Sequence, residues 1–249
     1  MGQLKKDTFV CIDCETTGLD TTNDRIIEVA GATFTFDGVV ETFETLIDPQ
    51  QLISPESIEI HHITDDMVQG KPLIADVLPN LLTLAKNHII VGHGINFDIE
   101  ILANTAKRFA IPCTLTENRI IDTLRLARLY GESPSNSLEF LRKHFNIAEE
   151  GAHRAMNDVV VNIEVFKKLS HKFKTTEQLL DRLKRPIAMR HMPLGKHKGR
   201  PFKEIPVEYL RWAANKDFDQ DLLYSIRSEL KSRKGGNQFF QASNPFQGL

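Results

Sequence analysis

The chain has 249 residues, 41% hydrophobic and 26% charged, with a net charge of −2. This composition is ordinary for a globular protein, and no apolar run approaches the ~20 residues of a membrane span. Three cysteines exclude a disulfide framework and fit a reducing cytoplasm.

The charge is unevenly divided. Residues 1–186 hold 20 Lys and Arg against 27 Asp and Glu, a net −7, and residues 187–249 hold 11 against 6, a net +5. An acidic body followed by a basic end predicts two parts with different work.

Thr8–Asp13 reads as a central strand that runs into Cys14-Glu15-Thr16-Thr17-Gly18-Leu19. Residues two apart on a strand share a face, so Asp13 and Glu15 aim at one point. Adjacent like charges need a cation between them, and oxygen ligands suit Mg²⁺ or Mn²⁺. Taken alone, Asp-x-Glu is also a common tripeptide. Cys11 and Cys14 have Cys-x-x-Cys spacing, but positions three apart on a strand face opposite sides, which makes them core-packing residues.

Arg25–Phe36 and Val39–Ile47 read as strands joined at the Asp37-Gly38 hairpin turn, completing an antiparallel meander. Pro55–Ile60 and Asp65–Val68 suit single helical turns. Leu73–Lys86 has a helical apolar period, and His88–Val91 is a short apolar strand. Phe97–Phe109 reads as a helix stopped by Ile111-Pro112, and Arg119–Leu129 as a strand end running into a helix. Ser137–Phe145 is a helix capped by Ser135 or Asn136, and His153–Phe173 a long amphipathic helix. Strands first, then strands alternating with helices, predict a mixed α/β sheet flanked by helices.

Asp98 falls where a strand ends and a helix begins, and His153 and Asp158 fall at the head of the long helix. Four carboxylates, Asp13, Glu15, Asp98 and Asp158, could hold two divalent ions about 4 Å apart, a pair suited to phosphodiester hydrolysis. A histidine with a pKa near 6.5 can take the proton of the attacking water. Each residue singly has a plainer reading. Asp98 would match the helix dipole, Asp158 would be a surface acid, and His153 a solvated loop histidine.

In order, however, Asp13-Cys14-Glu15-Thr16-Thr17-Gly18-Leu19, Gly92-His93-Gly94-Ile95-Asn96-Phe97-Asp98 and His153-Arg154-Ala155-Met156-Asn157-Asp158 resemble the three motifs of the DEDDh (DnaQ-like) 3′→5′ exonucleases. Ile60-His61-His62-Ile63-Thr64 resembles the family's His-Gly-Ile-Thr stretch, with His62 in place of glycine. The resemblance covers residues 7–173. It implies a ribonuclease H-like fold with a five-stranded sheet. It also implies that Asp13, Glu15, Asp98 and Asp158 hold two Mg²⁺ or Mn²⁺, with His153 as general base. The reaction implied is stepwise release of nucleoside monophosphates from a 3′ end. Thr16, Thr17, Gly18 and Leu19 would line the pocket for the terminal nucleotide, with His61 and Phe97 flanking it. Asn96 would also reach the substrate, in a stretch that departs from the many relatives with Asn directly after His.

Thr175–His191 reads as a connector. Met192–Arg233 is a compact basic and aromatic module, and Lys234–Leu249 a disordered tail. The domain reading is therefore residues 1–175, a linker over 176–190, a module over 191–233 and a tail over 234–249. Lys196, Lys198 and Arg200 lie in a glycine-broken loop suited to phosphates. Phe202, Tyr209 and Trp212 could stack on bases, although the module's own core is the preferred reading for Tyr209 and Trp212. The module resembles the C-terminal segment of exodeoxyribonuclease X-like proteins, which favours a stand-alone DNA exonuclease. The alternatives are a proofreading epsilon-like subunit of DNA polymerase III, an RNA-trimming exonuclease, and a non-catalytic nucleic-acid binder. Asn237-Gln238-Phe239-Phe240-Gln241 faintly resembles a sliding-clamp peptide, and many relatives of this family are homodimers.

Overall fold

A computed structural model describes residues 3–133, 135–148 and 154–241, the last seven as backbone only. The chain forms two units, residues 1–182 and 183–249.

In the first unit, β1 (Phe9–Thr16), β2 (Ile26–Phe34) and β3 (Val39–Leu46) make the meander expected from the sequence. The turn closes where the Thr35 amide donates to the Gly38 carbonyl at 2.9 Å. Next come α1 (Pro55–His61), α2 (Asp65–Val68), α3 (Ile74–Ala85), β4 (Ile89–Gly92), α4 (Asn96–Arg108), β5 (Ile120–Asp122), α5 (Thr123–Tyr130), α6 (Leu138–His144), α7 (Ala155–Leu169) and α8 (Thr176–Leu183). The sheet order is β3-β2-β1-β4-β5, antiparallel between β3, β2 and β1 and parallel from β1 to β5. This is the five-stranded mixed sheet of the ribonuclease H-like fold, with β1 at its centre.

The alternation of β1 sorts its side chains. Val10, Ile12 and Cys14 enter one apolar cluster with Leu78 and Leu81 of α3 and Ile99 and Leu102 of α4. Phe9 points to the other face, where it packs against Phe34 and against Phe166 of α7, ring centroids 5.5 and 5.1 Å apart. Cys11 and Cys14 are free, buried and on opposite faces.

Three local expectations change. Helix α7 begins at Ala155 and ends at Leu169, where the Ser170 amide returns to the Phe166 carbonyl. The cap of α6 is Ser137, whose hydroxyl accepts the Phe140 amide, while Ser135 accepts the Ser137 amide one step earlier. The stretch read as a linker over 176–190 contains α8. Leu179 of α8 is fully buried, and Thr176 donates to Asp7 at 2.5 Å, tying the helix to the N-terminus. His62 adopts φ 59, the left-handed conformation that a glycine takes at no cost, at the C-cap of α1.

The second unit holds α9 (Val207–Ala213) and α10 (Gln220–Gln241) around a core of Met192, Phe202, Ile205, Leu210, Leu222 and Ile226. Phe202 is thereby a core residue and offers no face for a base. Trp212 is half exposed because a seven-residue helix turns only Leu210 and Ala213 inward. Helix α10 continues past Lys234, so the first part of the stretch read as a disordered tail, including 237–241, has helical backbone. Among the described residues, no helix is long and apolar enough to cross a membrane.

Candidate active site

The site is set by the register of one helix on one strand. Phe9, Cys11, Asp13 and Glu15 share a face of β1 at period two. Asp158, Asn162 and Phe166 share a face of α7, one turn apart. The two rows match. Phe166 packs on Phe9, Asn162 Nδ2 donates to Cys11 Sγ at 3.5 Å, and Asp158 meets Asp13 and Glu15. One carboxylate oxygen from each of Asp13, Glu15 and Asp158 lies within 4.8 Å of the others.

Asp98 arrives from the second motif. Pairing of β1 with β4 stops at Cys11 and Val91, which frees the following edge of β1. The Cys14 amide on that edge donates to Asp98 Oδ1 at 3.0 Å. The turn that swings Asp98 into place is tied down by Asp122. Its Oδ1 accepts the Gly94 amide at 2.9 Å and the Leu124 amide at 2.8 Å, so one carboxylate holds this turn and caps α5. A side chain at Gly92 would meet Ile95 at 2.3 Å.

The carboxylates oppose one another. Burial and the charges of Asp98, Glu15 and Asp158 push Asp13 well above the ordinary carboxylate range. Burial, then Asp158 and Glu28, push Glu15 up to about 8. Burial raises Asp98 to about 7, with the Cys14 hydrogen bond working against the rise. Half-buried oxygen donors that resist ionisation beside one another fit a hard divalent cation, which supplies the missing positive charge. Asp13, Glu15 and Asp158 would hold it, with Asp98 adjacent.

The loop after β1 is braced from within. Thr17 Oγ1 donates to Asp24 Oδ1 at 2.9 Å and accepts the Arg25 amide and Gln51 Nε2, while the Thr17 carbonyl accepts the Ser57 hydroxyl. Thr16 Oγ1 closes on the Gly18 carbonyl at 2.6 Å. A Cβ at Gly18 would sit 2.5 Å from Asp24 Oδ2, so any larger residue there would displace the carboxylate that Thr17 and the Asp20 amide hold. Thr16 and Thr17 are therefore buried supports, whereas Leu19 is 86% exposed at the tip.

Other expected residues fall as follows. His61 is buried and its Nδ1 accepts the Ile63 amide. Its Nε2 lies against the Thr16 backbone, short of hydrogen-bond geometry, and burial lowers its pKa. Asn96 is exposed in the first turn of α4, and Phe97 is partly buried against the core. Lys196, Lys198 and Arg200 are exposed on their loop in the second unit, which the Met192–Arg200 and Gly199–Met192 backbone hydrogen bonds close. His153 lies outside the described residues.

Two participants have no role that the sequence assigns: Glu28, outside every motif, and His93, inside the second. Glu28, opposite Glu15 across β1 and β2, is buried and binds Arg154 and the Ala155 amide at the start of α7. A lone glutamate inside the apolar run of β2 is the signal that marks it. His93, through Nδ1, meets the Thr123 hydroxyl at 3.0 Å, and that hydroxyl donates to Asn162 Oδ1 at 2.6 Å. Burial lowers the His93 pKa to about 4, so the ring is a neutral member of this network.

The profile of a family described as exonuclease (RNase_T) matches residues 10–166. A second profile, described as "Putative quorum-sensing-regulated virulence factor", matches residues 179–226. A DNA polymerase III PolC-type protein of Caldanaerobacter subterraneus subsp. tengcongensis is 37% identical over 66% of this chain and 12% of its own. A DNA polymerase III subunit epsilon of Treponema pallidum is 34% identical over 64% of this chain and 74% of its own. The chain thus spans about an eighth of the PolC-type relative and three quarters of the epsilon one. Among solved structures, an exonuclease X in complex with 5′-overhanging duplex DNA superposes with a TM-score of 0.56 and 27% identity, covering 70% of this chain and 99% of that one.

Proposed function

The chain belongs to the RNase_T exonuclease family, and from that membership we propose that it is a metal-dependent 3′→5′ exonuclease that releases nucleoside 5′-monophosphates from DNA. The observation that carries this reading is the convergence of Asp13, Glu15 and Asp158 within 4.8 Å, with Asp98 fixed on the adjoining edge of β1. Mg²⁺ or Mn²⁺, two per site, would supply a hydroxide nucleophile and offset charge on the phosphate.

The chain's own residues do the rest. The four carboxylates hold the cations, and His153 takes the proton of the attacking water. Leu19, exposed at the loop tip, offers an apolar face to the terminal base, while Thr16 and Thr17 fix the loop that carries it. Asn96 and Phe97 stand at the head of α4, on the same turn that delivers Asp98. DNA is preferred over RNA because the exonuclease X structure is described with duplex DNA.

A second reading, a proofreading subunit, is favoured by relatives named as PolC-type polymerase and epsilon subunit. Co-purification with a polymerase would separate it from a stand-alone enzyme.

The primary test uses 5′-labelled single-stranded DNA, duplex DNA and RNA, with Mg²⁺, Mn²⁺ or EDTA. A DNA ladder shrinking from the 3′ end, abolished by EDTA and by Asp158→Ala, is expected. No cleavage with either metal overturns the reading. His153→Ala should lose rate yet keep metal binding; loss of metal binding would remove it as the base.

A further inference from the structure

Helix α10 has two distinct faces. Its inner face is spent on folding: Leu222, Ser225 and Ile226 are buried, and Asp221 accepts the Ile187 amide at 2.9 Å. Arg233 also belongs to this face, since its guanidinium donates to the carbonyls of Phe202, Lys203 and Ile205. The outer face differs. Leu223, Tyr224, Arg227, Ser228 and Lys231 form a stripe at helical spacing that, with Pro186, lines a concavity of about 510 Å³.

The chemistry of the stripe is specific. Tyr224 is 46% exposed, so much of its ring is open to solvent while Leu223 and Pro186 supply apolar walls. Arg227 and Lys231 are exposed and one helical turn, about 6 Å, apart. Arg227 reaches the Ala214 carbonyl at 3.5 Å, the outer limit of a hydrogen bond. An open aromatic platform beside paired cations is the arrangement that holds a base by stacking and its phosphates by charge. Residues 187–249 carry a net +5, complementary to a polyanion.

We propose that this groove binds single-stranded DNA, with one base stacked on Tyr224 between Pro186 and Leu223 and neighbouring phosphates at Arg227 and Lys231. The proposal rests on the exonuclease reading for its choice of ligand. It concerns a different set of residues from the Lys196–Arg200 loop.

The test measures binding of the full chain to fluorescein-labelled dT16 by anisotropy, in EDTA so that nothing is cleaved. Tyr224→Ala should weaken binding at least about fivefold, and Tyr224→Phe, which keeps the ring, should bind as wild type. Arg227→Ala with Lys231→Ala should reduce the slope of log K against log salt by about 1.4. Thermal melting of each variant confirms that it is folded. Equal affinity of the folded Tyr224→Ala and double variants with wild type overturns the proposal, as does equal loss in Tyr224→Phe. A wild-type preference for RNA of the same length also overturns it. Hydrolysis of thymidine 5′-monophosphate p-nitrophenyl ester by wild type with Mn²⁺ reports on the carboxylate site alone. Hydrolysis of the ester, with DNA affinity unaltered in the groove variants, rejects the groove and leaves the exonuclease reading standing; no hydrolysis rejects the exonuclease reading itself.

Discussion

Arg154 grips Glu28 through both Nε and Nη2, at 3.0 and 2.6 Å, and the same carboxylate accepts the Ala155 amide at 3.0 Å. Strand β2 thus caps helix α7 from outside the helix, with negative charge at the positive end of its dipole. Asp158 sits in the first turn of that helix, so the clamp sets where one carboxylate of the proposed metal site stands. Arg154→Ala leaves Glu28 buried without its cation. Because the arginine is itself 44% exposed, the expected cost is about 1–3 kcal/mol. A Mn²⁺ titration followed by electron paramagnetic resonance should show several-fold weaker binding. Arg154→Lys keeps charge but loses the fork and should fall between. Unaltered Mn²⁺ affinity in Arg154→Ala would remove the clamp from the site.

The carboxylates give the metal-free protein a characteristic pH response. In the folded chain Glu15 keeps its proton up to about 8, against an ordinary 4.5, and Asp98 up to about 7. Between the unfolded and folded values the folded chain binds more protons, so stability falls as pH rises through that window. His93, held down to about 4, acts in the opposite sense but only below about 6.5. From pH 6.5 to 8 in EDTA, therefore, the melting temperature should decline, and saturating Mg²⁺ or Mn²⁺ should open a gap that widens with pH. Glu15→Gln should melt higher than wild type at pH 8 in EDTA while losing activity. A flat melting profile in EDTA would mean that the carboxylates do not repel as described.

Much of this site is legible in the amino-acid sequence, for identifiable reasons. Asp13 and Glu15 can be read because strand alternation puts them on one face whatever surrounds them. The three motifs can be read because their order along the chain is specific. What stays hidden depends on contacts distant in sequence. Glu28 and Arg154 lie 126 residues apart, and only the fold shows that one caps the helix of the other. The match of Phe9, Cys11 and Asp13 with Phe166, Asn162 and Asp158 needs both rows to be seen together. Helix α8 passes for a connector because eight residues beginning at Thr176 carry too few apolar repeats to stand out. Thr17 reads as a pocket wall because a turn sequence does not show that its hydroxyl is already committed to Asp24, Arg25 and Gln51.

Asp122 offers a test of the turn that delivers Asp98. Asp122→Ala removes the acceptor for both the Gly94 and Leu124 amides, which should cost about 1–2 kcal/mol by thermal or urea unfolding. With the Gly92–Asn96 turn released, kcat on a short oligonucleotide should fall while the fold survives. Asp122→Asn retains an acceptor oxygen and should recover most of both. Equal damage in Asn and Ala variants would show that charge, not hydrogen bonding, holds the turn.

Thr17 makes the same distinction in the loop after β1. Thr17→Ser keeps the hydroxyl that bonds Asp24 and should approach wild type. Thr17→Val keeps the shape, buries no hydroxyl and leaves the Arg25 amide and Gln51 without their acceptor. It should lose about 1–3 kcal/mol of stability and raise KM for DNA. If Thr17→Val raised KM at unchanged stability, Thr17 would be a direct substrate contact.

Leu19 is the converse case, a residue the fold does not use. At 86% exposure its side chain contributes little to folding, so Leu19→Ala should alter stability by no more than about 0.5 kcal/mol. The apolar area that Leu19 would bury against a terminal base, on the order of 50 Å², corresponds to roughly 1 kcal/mol, about a fivefold change in affinity. Steady-state cleavage of single-stranded DNA should therefore show KM raised about fivefold in Leu19→Ala. Leu19→Met, of similar size and polarity, should stay near wild type. An unchanged KM in the alanine variant would place the terminal base elsewhere, and the buried Thr16 and Thr17 could then not be counted as supports of a nucleotide pocket.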